Sequence, residues 1–148
     1  MHPRNVAYAK ISTFVHVTED QVKVESAVLK ILKIDEADKI EFVKTMMDGH
    51  YGNTILELKT RILDRKNVYE ILLGILSRLS PLDKALLDGE LAKHLDDKNR
   101  LYLRFDKQQA LLGKAVLTFE DSINIVFRLD SRPKSLMELE VSLESKDN

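Results

Sequence analysis

Apolar and polar residues alternate with period two in five stretches of the chain. That alternation marks strands with one buried face. Over 6–17, Ala7, Ala9, Ile11, Val15 and Val17 share one face, and Tyr8, Lys10, Ser12, Phe14 and His16 the other. Over 54–63, Leu56, Leu58, Thr60 and Ile62 oppose Glu57, Lys59 and Arg61. Over 100–106, Leu101, Leu103 and Phe105 oppose Tyr102, Arg104 and Asp106. Over 122–129, Ile123, Ile125, Phe127 and Leu129 oppose Asn124, Val126 and Arg128. The stretch 39–47 is less regular, with Val43 and Met47 opposing Ile40, Phe42 and Lys44. A sixth short strand is predicted over 114–119, with Asp121 in the turn that follows.

Helical stripes separate these stretches. Thr18-Glu19-Asp20-Gln21 has the spacing of a capping box, and it predicts a helix start. Val24, Ala27, Val28 and Ile31 then recur at helical spacing to about Lys33. A second stripe runs through Val68, Ile71, Leu72, Ile75, Leu76 and Leu79. Ser80-Pro81 restarts a third helix, with Ser as N-cap and Pro at the first helical position. It runs toward Leu95, with Gly89 as a point of division. Residues 135–145 fit either period, and their Glu, Met and Leu content favours a helix.

Strands interrupted by helices in this order predict an α+β fold with a mostly antiparallel sheet. Helices would pack on one face, leaving the other wet and polar. The length of 148 residues suits one domain, 1–148, with its core over about 6–130.

Composition removes most chemistry. There is no cysteine, hence no disulfide or thiolate nucleophile. His2, His16, His50 and His94 have no metal-ligand spacing, and no metal or cofactor is expected. Phosphate-loop, dinucleotide and serine-hydrolase motifs are absent, so no enzyme activity is expected. No apolar run is long enough for a membrane span or signal peptide, and the cytoplasm is the expected location.

The net charge of −1 does not advertise a polyanionic partner, but its distribution is uneven. Lys98, Arg100, Arg104, Lys107 and Lys114 against Asp106 give residues 98–114 a net of +4. Lys59, Arg61, Arg65 and Lys66 against Asp64 give residues 59–66 a net of +3. Cations that face phosphates release counterions and make binding salt-dependent.

Two segments stand out. In Gly49-His50-Tyr51-Gly52-Asn53, a tight loop alone explains the glycines and the asparagine. It does not explain two rings at the tip, which suit stacking on an unpaired base. The second is Leu101-Tyr102-Leu103-Arg104-Phe105-Asp106-Lys107-Gln108-Gln109-Ala110-Leu111-Leu112-Gly113. It reads as a strand showing Tyr102 and Arg104 outward, then a turn carrying Lys107 and two glutamines. A solvated edge strand explains it equally well.

On these two segments, as a pair, the chain resembles archaeal RNA-binding proteins described as predicted exosome subunits. Their domain is related to that of the ribosomal protein that holds 5S ribosomal RNA. The resemblance spans about residues 6–130. It departs at Thr54, where the family often has proline, and in the C-terminal segment. It implies an α+β fold with a curved sheet, RNA binding without catalysis, and partners among RNA-processing or exosome proteins.

The expected function is therefore a non-catalytic RNA-binding module. Lys10, Lys59, Arg61, Arg104 and Lys107 would hold phosphates. His50, Tyr51 and Tyr102 would stack, with Asn53 and Gln108 beside them in the two segments. The alternative is a protein-interaction subunit of a larger assembly, docking through a sheet face or the acidic Glu138, Glu140 and Glu144 helix.

Overall fold

The computed structural model describes residues 5–35, 40–49 and 52–144. In order, the elements are β1 (Val6–Val15), α1 (Gln21–Leu32), β2 (Val43–Asp48), β3 (Thr54–Ile62), α2 (Arg65–Arg78) and α3 (Pro81–Gly89). After these come α4 (Leu91–His94), β4 (Arg100–Asp106), α5 (Lys107–Leu111), β5 (Ser122–Leu129) and α6 (Leu136–Glu144). The strands form one open sheet in the order β2-β3-β1-β5-β4, every neighbouring pair antiparallel. The fold is α+β, as the alternation of periods predicts.

The inner sheet face carries Ala9, Ile11, Leu101, Leu103, Phe105, Ile123, Ile125, Phe127 and Leu129, all buried. It packs in one cluster with Val28 and Ile31 of α1, Leu72 and Ile75 of α2, and Leu136, Leu139 and Leu143 of α6. Full burial of each valine, leucine, isoleucine or phenylalanine among them contributes roughly 1.5–3 kcal/mol against leaving it in water.

Several local expectations are corrected. Helix α1 is capped by Asp20, whose carboxylate accepts from the Val22 N–H at 2.9 Å, and not by Thr18. Glu19 reaches back to the His16 N–H at 3.0 Å. In β1 the register shifts between Val6 and Tyr8, so Val6 is buried in place of Ala7, and Val17 lies exposed beyond the strand. The lysine and glutamines after β4 form the short helix α5, capped by Asp106 through the Gln109 N–H at 2.9 Å. Residues 114–119 are not a strand. They make a single bridge, Leu117 to Phe105. Their backbone groups also bond along β4: the Asp106 N–H donates to the Val116 carbonyl and the Thr118 N–H to that of Arg104. That segment covers the outer edge of β4 without extending into a ladder. Residues 136–144 are helical, with Leu136, Leu139 and Leu143 on the buried side.

Candidate nucleic-acid interface

The outer sheet face is set by register. Arg61 of β3 faces Lys10 of β1, which faces Val126 of β5, which faces Tyr102 of β4. In the next row lie Lys59, Ser12, Asn124 and Arg104. On the other side of the first row, Tyr8 faces Arg128 and Arg128 faces Arg100. With adjacent strands ~4.8 Å apart, each complete row spans roughly 14 Å. Lys10, Lys59, Arg61 and Arg104 are exposed, Arg100 and Arg128 half-buried.

Four of these cations have no carboxylate partner among the described residues: Lys10, Arg61, Arg104 and Arg128. The Lys10 ammonium sits 5.4 Å from the centre of the Tyr8 ring, a cation–π contact. Lys59, itself exposed, lies 3.6 Å from the half-buried Glu57 on the same face, a long contact. Phe14 and Glu57 form the following row, where the positive surface ends. A groove of about 1200 Å³ runs from Lys10, Lys59 and Arg61 around the edge of β3 to the ends of α1 and α2, where Glu41, Asp64 and Glu70 also line it.

Arg100 and Tyr102 are held from outside the sheet by Asp96. The Arg100 guanidinium donates to it at 2.6 Å and the Tyr102 hydroxyl at 3.0 Å. The Lys98 and Arg100 backbone N–H groups donate to its other oxygen at 2.9 Å each. Desolvation works against the ionised carboxyl, but these hydrogen bonds outweigh it and hold Asp96 well below the usual carboxylate range. The bond to Asp96, followed by desolvation, pushes the Tyr102 hydroxyl above its ordinary pKa. Tyr102 is thus anchored at its hydroxyl while 41% of it stays exposed.

Of the residues expected at the site, the structure brings together Lys10, Lys59, Arg61, Tyr102 and Arg104. Lys107 is a correction. It is buried, and its ammonium donates to the Phe14 carbonyl at 2.6 Å, Asp121 at 2.8 Å and Glu19 at 3.0 Å. An ammonium has three hydrogens, and these acceptors take them all, leaving none for a phosphate. His16 joins the cluster at 3.1 Å from Asp121. His16, Glu19 and Asp121 would have metal-ligand spacing, but the Lys107 ammonium already sits among them. Gln108 is exposed on α5, off the sheet. Asn53 closes the β2–β3 turn through its carbonyl, which accepts from the Gly49 N–H. It lies six residues along β3 from Lys59, roughly 20 Å. A side chain at Gly49 would collide with that carbonyl and with Ile55, and Gly52 has φ +78°, so both glycines serve the turn. His50 and Tyr51 lie outside the described residues.

Arg100, Arg128 and Tyr8 were not anticipated. Arg128 alternates with Asn124 and Val126 in the sequence, which marks it as outward. Only the pairing of β5 with β1 and β4 shows that it stands between Tyr8 and Arg100.

An open antiparallel sheet, helices on one face and cations in register on the other define a class of α+β proteins with an exposed basic sheet. Within that class, residues 8–129 match a family model described as RNA binding, and the chain belongs to this family. It is 32% identical over 126 residues to the RNA-binding protein PAB1135 of Pyrococcus abyssi, covering 84% of this chain and 82% of that one. It is 33% identical over 123 residues to the uncharacterized protein MJ0213 of Methanocaldococcus jannaschii, covering 80% of each. The crystal structure of protein AF2318 from Archaeoglobus fulgidus superposes with a TM-score of 0.74 at 27% identity, over 93% of this chain and 99% of that one.

Proposed function

We propose that this chain is a non-catalytic RNA-binding module that holds RNA on its open sheet face. The observation carrying this reading is the group of cations on the outer sheet face that have no carboxylate partner among the described residues, Lys10, Arg61, Arg104 and Arg128. Membership of the family and the name of the Pyrococcus abyssi relative support RNA as the polyanion. Lys10, Lys59, Arg61, Arg104 and Arg128 contact phosphates. Tyr8 and Tyr102 offer rings for sugar or base packing. A role in RNA processing, alongside exosome proteins, rests on the sequence resemblance alone. So does kinship with the 5S-RNA-binding ribosomal domain.

Fluorescence anisotropy with single-stranded and structured RNA at two salt concentrations tests this. Binding should weaken as salt rises. Arg61→Ala, Arg104→Ala and Arg128→Ala should each lower the salt slope by roughly 0.7–0.9. Absence of salt-sensitive binding tighter than ~10⁻⁴ M, the weak end of the non-specific range, overturns the reading.

A further inference from the structure

The two edges of the sheet are unequal. Along β4, Asp106 and Arg104 bond to the 116–118 segment, and the Arg100 carbonyl accepts from the Asp96 N–H. Leu101 is bridged by Leu95. Along β2, only β3 pairs among the described residues. Every residue of β2 is exposed, Val43 and Met46 each at 65%. An uncovered edge is a template for another strand, and proteins ordinarily blunt it with proline, a bulge, extreme shortness or charged side chains, lysine above all. The charges of β2 are one of each sign, Lys44 and Asp48, so they can meet across a two-fold as well as repel. β2 has no proline and keeps an unbroken register through six pairs.

The free backbone groups of β2 can be assigned. The Gly49 N–H donates to Asn53, so this is a hydrogen-bonded pair. Such pairs alternate along an antiparallel ladder. Met47–Ile55, Thr45–Glu57 and Val43–Lys59 are therefore the bonded pairs with β3. The N–H and carbonyl groups of Lys44, Met46 and Asp48 point away from β3 and pair with no other strand among the described residues.

We propose that β2 pairs antiparallel with β2 of a second copy of this chain, about a two-fold axis at Met46. Paired residues share a face, so a continuous sheet must oppose like-facing residues. Centring on Met46 sets Lys44 against the second copy's Asp48, Met46 against Met46, and Asp48 against Lys44. All three residues with free backbone groups are used, opposite charges meet twice, and the exposed Met46 side chains, on the helix side of the sheet, cover each other. Centring one residue earlier sets Lys44 against Met46. Centring one residue later sets Asp48 against Met46. Neither pairs the charges. Lys44 also has Glu25 of its own α1 at 3.6 Å, a long and partly exposed contact. About six backbone hydrogen bonds join the copies. The axis runs perpendicular to the sheet, so both outer faces lie on the same side of a ten-stranded sheet. The inference stands on edge geometry and does not depend on the RNA reading.

One added strand is a small interface, so the dimer is weak and concentration-dependent. Sedimentation velocity across a protein concentration series, without RNA, should show the mass rising from one chain to two. Lys44→Asp or Asp48→Lys alone should weaken association by roughly tenfold, since like charges then oppose each other. The double exchange Lys44→Asp with Asp48→Lys should restore the parent value. Met46→Pro should abolish the dimer while circular dichroism stays that of the parent, because the N–H it removes faces away from β3. A chain that remains monomeric at every concentration, whether or not β2 captures some other strand, overturns the proposal. A dimer indifferent to the proline and to both single charge reversals overturns it equally.

Discussion

An ammonium surrounded by oxygens behaves as a bolt, and Lys107 is one. It fastens the end of β1, the loop before α1 and the turn before β5 at one point. In the sequence it reads as one more cation in a basic stretch. Its partner Glu19 lies 88 positions away, so nothing local signals that the charge is already matched. Arg128 is the reverse case: a lone cation in an apolar strand that gains meaning from its cross-strand neighbours. Lys107→Met should lower unfolding free energy by about 1–3 kcal/mol in urea denaturation. That is less than the 3–5 kcal/mol of a fully buried broken pair, because water reaches Glu19 and Asp121. The folded variant should bind RNA with the parent salt slope. A lowered slope would return Lys107 to the phosphate contacts.

Between elements, Arg78 does comparable work with a different geometry. Its guanidinium donates to Ile31 at 2.6 Å, Gly74 at 3.1 Å and Gly113 at 3.2 Å, all backbone carbonyls. Ile31 lies in the last turn of α1, Gly74 in the turn of α2 below Arg78, and Gly113 just beyond α5. The carbonyl ends of helices carry partial negative charge, and a planar fork can serve several at once. Burial pulls the Arg78 pKa down from its ordinary value. Arg78→Lys keeps the charge but cannot span three carbonyls. It should cost about 1–3 kcal/mol, read as a lowered denaturation midpoint at unchanged slope. The helices themselves were legible wherever apolar residues recur over two turns or more, as in α1 and α2. At 136–144 residue composition decided between two periods, and the structure agrees with it. The five-residue α5 carries no stripe. Its one signal is Asp106 placed three residues before Gln109, the spacing of a cap. Residues 114–119 were expected as a short strand, yet they stop short of a ladder because only Leu117 bridges to β4.

For the molecule as a whole, the α+β class and the single wet face follow from period-two alternation flanked by helical stripes. The order of strands does not, because alternation says which way a side chain points and nothing about its neighbour across the ladder. That order places β1, first along the chain, in the middle of the sheet. Its partner on one side is β5, with Ala9 opposite Phe127 and Ile11 opposite Ile125. During synthesis β1 leaves the ribosome early and must wait for more than a hundred further residues before that side is paired. Folding is thereby deferred to a late, cooperative step, with long-range closure setting the rate. A chain stopped after Glu120 has β1 without β5 and β4 without the strand it pairs with in the sheet. Its amide spectrum should be collapsed and undispersed, where the full chain gives resolved peaks. A nascent chain held at that length should be open to protease, and one held after β5 has emerged should be protected.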